Sequence, residues 1–258
     1  MNIQANGWAT TLLLGAIAAA LLAFPAYAQQ QKSSSTESQS ARGSDENQSK
    51  SADSTTGTSN DRLFYALPNF LTLENAANVP PLTTKEKFKV VARSSFDYVE
   101  FPWYGLLAGI SQAENSEPGY GQGAAGYGKR YGAAFADGTI ENFMVGAILP
   151  SVLKQDPRFY QSSSGGFLHR TGYAMSRIFV TRSDRGTEQF NYSEIFGSAL
   201  SAGISTYSYH PHADKTLANT ASVWGTEIGY DTITIVVKEF WPDIRRMISH
   251  KRQPETSN

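Results

Sequence analysis

Residues 119–135 read GYGQGAAGYGKRYGAAF, and the fold turns on what their glycines do. Two phosphate-binding patterns overlap there. Gly121-x-Gly123-x-x-Gly126 fits the dinucleotide fingerprint, and Gly123-x-x-x-x-Gly128-Lys129 fits all but the last position of a P-loop. Both need a buried strand feeding the glycine loop and a helix leaving it, so that helix N-terminal N–H groups meet the phosphate. The preceding residues, ISQAENSEP (110–118), are polar and end in proline, and the position where a P-loop needs Ser or Thr for magnesium is Arg130. The stretch is therefore read as a helix. Ala124, Gly128, Gly132 and Ala136 then form one side-chain-poor stripe. Each interior glycine costs about 0.5–1 kcal/mol relative to alanine. The predicted compensation is close helix–helix approach along the stripe. The same spacing recurs at Gly105/Gly109, Gly197/Ser201/Ser205 and Gly225/Gly229.

Outward from this stretch the pattern stays helical. A helix starts at Thr84 and runs through Phe88, Val91, Phe96 and Val99 with an interruption near Pro102, and WYGLLAGISQA continues it. Further helices are predicted over 122–136, 140–154, 167–181, 192–209 and 217–240. Between them SEPG, QDPRFYQSSSGG, RSDRGTEQFN and HPHADK carry residues that break helices and are read as loops. TITIVV (232–237) is the best strand candidate, but it continues a helical segment. The expected fold class is all-α, a compact glycine-rich multi-helix bundle over residues 61–252, with 61–83 as an extended arm and 253–258 as a disordered tail.

Two segments precede the bundle. Residues 8–28 form an uncharged apolar run ending in Ala26-Tyr27-Ala28, the small-x-small pattern of a cleaved signal peptide. A retained anchor is the alternative, because the run is nearly long enough to span a bilayer. Residues 29–60 are rich in Ser, Gln and Thr with no large apolar side chain, so a disordered linker is predicted. The expected location is the periplasm or outer envelope, with membrane association as an option. The domain helices carry charges or several hydroxyls, which favours a soluble or peripheral bundle over an integral one.

The formal net charge of -1 offers no basic field for nucleic acid, and no nucleotide is expected once the phosphate patterns are set aside. The absence of cysteine excludes disulfides, thiolate metal sites and cysteine nucleophiles. No cofactor is predicted.

Three groups of residues could carry chemistry. His210-Pro-His212-Ala-Asp214 has metal-ligand spacing, although Lys215 stands where a metallo-β-lactamase-type motif has its last histidine. The competing reading is a polar loop with Asp214 as a helix cap. Ala199-Leu-Ser201-Ala-Gly203 nearly matches a nucleophile elbow, but Ser201 lies in a small-residue stripe and packing is the simpler role. Arg158, Arg170 and Arg177, with His169, are candidate contacts for an anionic ligand. The bland alternative is a salt-bridge network. It would let Arg170 and Arg177 face the like-charged pairs Asp137/Glu141 and Glu227/Asp231, which repel at i,i+4 spacing.

The blocks LPNFLTLE (67–74), PLTTKEKFKV (81–90), YGQGAAGYGKRYGAAFAD (120–137), LPSVLKQDPRFY (149–160), VTRSDRG (180–186), FNYSEIFG (190–197) and EFWPDI (239–244) resemble a family of exported bacterial envelope proteins with no assigned activity. The resemblance implies an envelope setting and supplies no catalytic residue. The leading expectation is a structural or binding bundle whose partner is an envelope component or a membrane surface. The alternatives are a periplasmic hydrolase of an anionic lipid or ester, using His169 or His210 with the arginines, and a binding module for a small amphiphile walled by Trp103, Tyr127, Tyr131 and Phe135.

Overall fold

A computed structural model describes residues 62–63, 67–73, 79–162 and 164–250. The chain divides into two units, 1–51 and 52–258, and every described residue belongs to the second. The expected signal peptide, linker and tail lie outside the described residues.

The first helix begins where its sequence says it should. Thr83 accepts from the Glu86 N–H at 3.3 Å while the Glu86 carboxylate accepts from the Thr83 N–H at 2.8 Å, a reciprocal cap that uses two otherwise orphaned donors. Helix α1 (Thr84–Ser95) buries Val90 and Val91, which join Phe70, Leu82 and Ala147 in the apolar core. On the same face Lys87, 1% exposed, reaches the Asp184 carboxylate at 2.8 Å and the Pro150 carbonyl at 3.3 Å.

Helix α2 (Glu100–Glu114) ends at Asn115, in the left-handed conformation at φ 49°, which asparagine tolerates better than most residues. The opening glycines come next. A 3-10 turn (Pro118–Tyr120) leads to Gly121 at φ 76° and Gly123 at φ 75°, so these two serve a backbone that L side chains rarely adopt. Helix α3 (Gly123–Phe143) follows. Arg130, 1% exposed, closes the loop onto it by donating to the Gly121 carbonyl at 2.6 Å and the Glu117 carbonyl at 2.8 Å. From Gly123 the stretch is helical, as the sequence indicates, and its arginine is used inside the protein.

The expected glycine stripe is not how this helix packs. A Cβ on Gly128 or Gly132 would meet nothing within 4 Å, nor would one on Gly109, Gly225 or Gly229. The close approaches fall elsewhere. A Cβ on Gly126 would sit 2.7 Å from the Gly121 carbonyl carbon, one on Gly138 2.8 Å from Tyr104, and one on Gly146 2.7 Å from Val91. Spacing by four identifies a face but not which face is turned inward.

Beyond α3 a π turn (Met144–Ile148) leads into the short α4 (Leu149–Leu153). Pro150 has no N–H to return to the carbonyl four residues earlier, and the π turn takes up the misfit. Helices α5 (Phe167–Ser176), α6 (Tyr192–Ser208) and α7 (Leu217–His250) complete the helical set. TITIVV lies within α7.

The protein is mostly helical, but the all-α expectation needs correcting. Short strands occur in the expected arm, in expected loops and, at Val180 and Thr181, at the end of a predicted helix. β1 (Arg62–Leu63) pairs antiparallel with β2 (Leu67–Pro68), and β3 (Thr72–Leu73) runs parallel to β5 (Phe159–Tyr160). β4 (Gln155–Asp156) pairs with β6 (Val180–Ser183), which pairs in turn with β7 (Glu188–Phe190), both antiparallel. Runs of two to four residues hold too little alternation to be read as strands.

Helix α6 is inverted relative to an ordinary surface helix. Its buried face is Ser193, Gly197, Ser198, Ser201, Ala202, Ser205 and Thr206. Tyr192, Phe196, Leu200, Ile204 and Tyr207 are exposed. The small residues let it approach the π turn, where Gly197 lies against the Met144 backbone.

Candidate functional site

Helix α7 carries the site. Glu227, Asp231, Thr234 and Lys238 recur at four, three and four residues, which places them on one helical face. Two cavities open along this face, and Asp231, Thr234 and Lys238 line both.

The larger cavity, about 520 Å³, lies against α2, α3 and α7. Its apolar wall includes Leu63, Leu67, Leu107 and Val223, and its polar wall includes Glu100, Tyr104, Asp137, Glu141, Glu227, Tyr230 and Asp231. Such a density of carboxyls cannot stay ionised away from water. Burial, with the charges of Asp231, Glu227 and Asp137, pushes Glu141 up to about 10. Burial and the charges of Asp137 and Asp231 push Glu227 up to about 8. Burial, with a smaller push from Asp97, brings Glu100 to about 7. Glu194, from α6, is also held well above the usual carboxyl range, first by burial and then by Asp231. Asp231 acts on both Glu141 and Glu194, and a buried oxygen of each, Oε1, has no hydrogen-bond partner among the described residues. Burial raises Asp231 as well, so this buried group of carboxyls favours its protonated forms.

The smaller cavity, about 150 Å³, lies on the other side of Asp231 and Lys238. Its lining includes Arg158, Tyr160, Arg177, Arg182, Ser193 and Glu194. Asp156 is fully engaged there, with Arg158 at 2.6 Å and the Tyr160 hydroxyl at 2.7 Å. Gln155 accepts from both the N–H and the hydroxyl of Ser193, at 2.8 and 2.6 Å, which anchors the start of α6. Burial lowers the Lys238 ammonium against the opposing pull of Asp231 and Glu194.

The arginines singled out in the sequence part company. Arg158 and Arg177 line the smaller cavity. Arg170 does not, since it bridges Glu239 at 2.8 Å and Asp243 at 2.5 Å. His169 is exposed on α5. Arg170 and Arg177 are also not the cations that face the acidic pairs. Arg177 bonds Glu188 at 2.7 Å, and the cation on the carboxyl-rich face is Lys238.

His210 lies in a different cluster. Its Nε2 is 3.3 Å from Asp137 Oδ2 and its Nδ1 is 3.0 Å from Glu117 Oε1. Burial opposes the charged ring, but hydrogen bonds and charges from Asp137 and Glu117 outweigh it and raise His210 to about 10. An imidazolium has no lone pair for a metal. His212 and Asp214 sit in a 3-10 turn (His212–Asp214), with His212 exposed. No group of three or more His, Cys, Asp or Glu among the described residues is arranged to hold a metal ion. Three of the aromatic residues expected to wall a cleft, Tyr127, Tyr131 and Phe135, make ring contacts instead. Phe135 stacks on Phe101 with centroids 5.4 Å apart, and Tyr127 on Tyr131 at 6.4 Å, while Tyr104 and Tyr230 line the larger cavity.

Sequence reasoning found the two acidic pairs through their unfavourable spacing but missed Glu100, Glu194, Arg182 and Lys238. For Lys238 the available signal was its seven-residue offset from Asp231. Comparison of the chain with protein families, curated proteins and solved structures finds no match.

Proposed function

We propose that the helical body is a binding module for a small organic cation, received in the larger cavity. The observation that carries this reading is Glu227. It is 9% exposed, it lines the cavity, and its Oε2 has no hydrogen-bond partner. Around it Glu141 and Glu227 are raised by burial and by the charges of neighbouring carboxylates. An ammonium or guanidinium placed there would favour the ionised forms, and the Tyr104 and Tyr230 rings with the apolar wall suit its hydrocarbon part. The volume falls in the roughly 300–1,000 Å³ range of small-molecule sites. The hydrolase alternative draws less support. His210 is held as an imidazolium between two carboxylates, and His169 lies outside both cavities.

The test is calorimetric titration with a series of alkylamines and quaternary ammonium ions in buffers of different ionisation enthalpy. Saturable binding with proton release is expected, and Glu227→Gln should reduce both. Binding of no cation, or binding without proton release, overturns the reading.

We further propose that the protein is exported to the cell envelope and docks peripherally on a membrane surface through the outer row of α6. The apolar run ending at Ala28 and the family resemblance support export, and the exposed Tyr192, Phe196, Leu200 and Ile204 support docking. No described helix is long and apolar enough to cross a membrane.

A further inference from the structure

We propose a second site, for a small oxyanion, in the smaller cavity, built by Arg177, Arg182 and Lys238. Three elements deliver these cations to one space: the end of α5, strand β6 and helix α7. Their donors are largely unused. The Arg182 guanidinium lies 4.1 Å over the centroid of the Tyr160 ring and has no hydrogen bond or ion pair among the described residues. The Lys238 ammonium has none either among the described residues, although Asp231 and Glu194 act on it electrostatically. Arg177 gives one terminal nitrogen to Glu188, at 2.7 Å, and its Nε to Ser176 at 3.4 Å, leaving the second terminal nitrogen unbonded.

The anions of the cavity do not cancel these cations. Asp156 is taken by Arg158 and Tyr160. Burial raises both Glu194 and Asp231 above the usual carboxyl range, which disfavours their charged forms. A water-accessible space of about 150 Å³ with unfilled N–H donors on several sides fits phosphate or a carboxylate. It lies below the usual range for drug-sized ligands. Arg158, the strongest candidate from sequence, has a supporting part: it neutralises Asp156 so that an incoming anion meets no bare carboxylate.

Lys238 lines both cavities, but Arg182 lines only the smaller one, so a change at Arg182 tests this site apart from the cation reading. The experiment titrates the full chain with inorganic phosphate and, separately, with acetate, against chloride at matched ionic strength. Saturable binding of one oxyanion is expected, and the better ligand tells a tetrahedral site from a planar one. Arg182→Gln should weaken it about tenfold or more, corresponding to the loss of charged hydrogen bonds. The same variant should keep amine affinity within twofold, which separates failure here from failure of the cation site. If Arg182→Gln does not fold, Arg182→Lys serves, and is expected to weaken the oxyanion by a smaller factor because it keeps the charge and loses the planar fork. Oxyanion binding no tighter than chloride overturns the proposal, as does unchanged affinity in whichever of these variants folds.

Discussion

The Nε2 of His210 lies 3.3 Å from Asp137 Oδ2, joining the segment after α6 to the middle of α3. Asp137 also accepts from the Tyr209 hydroxyl at 2.5 Å and from the Ser205 hydroxyl. One carboxylate thereby gathers three donors from neighbouring turns of the chain. It marks the edge of the larger cavity and keeps its own charge satisfied, while Glu141, four residues on, holds a proton.

Stability should fall as the solution becomes alkaline. An unfolded glutamate titrates near 4.5 and an unfolded histidine near 6.5, but in the folded protein Glu227 titrates near 8, and Glu141 and His210 near 10. The folded chain therefore holds more protons across that interval. The stability these groups contribute is complete below their unfolded values and is lost as pH rises through the folded ones. Lys238, lowered by burial, acts in the opposite sense. Asp97, lowered by Arg62 against burial, and Glu188, lowered by Arg177, lose their contribution only as pH falls through the acid range. The expected result is a Tm that peaks at mildly acidic pH and declines from pH 6 to 10, with part of the decline removed by Glu141→Gln. A flat or rising Tm over that range means that the carboxyls are not protonated in the folded state.

Two glycines of α3 should respond to alanine with opposite signs. Gly126→Ala drives a methyl into the Gly121 carbonyl and should cost roughly 2–4 kcal/mol. Gly128→Ala meets open space and should stabilise by about 0.5–1 kcal/mol, the helix-propensity difference. Urea denaturation of the two variants decides it. Destabilisation by Gly128→Ala would reveal a partner against that face.

Arg130 holds the glycine loop by its guanidinium. Arg130→Met keeps much of the volume but leaves the Gly121 and Glu117 carbonyls without their donors. A loss of roughly 2–4 kcal/mol is expected in denaturant titrations. Its neighbour Lys129 is exposed, and Lys129→Ala should change stability by less than about 0.5 kcal/mol.

The outer row of α6 should separate stability from docking. Phe196 and Leu200 are 54% and 51% exposed, so the double change to serine should leave the denaturation midpoint nearly unmoved. Co-flotation with phospholipid vesicles should drop severalfold. Undiminished flotation would place the membrane contact elsewhere.

Much of the helical layout was legible because its causes are local. The helix start at Thr84 and the breaking residues of SEPG and HPHADK act within a few residues of themselves. The missing strand before Gly121 was enough to dismiss a phosphate loop. What misled was the assumption that a row of small residues must face a neighbour. On α6 the Gly197/Ser201/Ser205 row does face inward, whereas on α3 the Gly128/Gly132 row faces open space. The two rows have the same spacing, and only the packing of whole helices distinguishes them.

The sequence by itself determined that this chain is built mainly of helices, where several of them start and stop, and that Asp137/Glu141 and Glu227/Asp231 are uncomfortable pairs. The tertiary structure alone decided that Glu141, Glu194, Asp231 and Lys238, spread over 98 residues of chain, meet beside two cavities, and that the expected arginines divide between a cavity wall and the bridge from Arg170 to Glu239 and Asp243. The physical reason is range. Helix signals depend on neighbours a turn away, but a side chain's protonation and its unfilled hydrogen bonds depend on how much water is excluded and which distant charges are brought close, and both are properties of the folded packing.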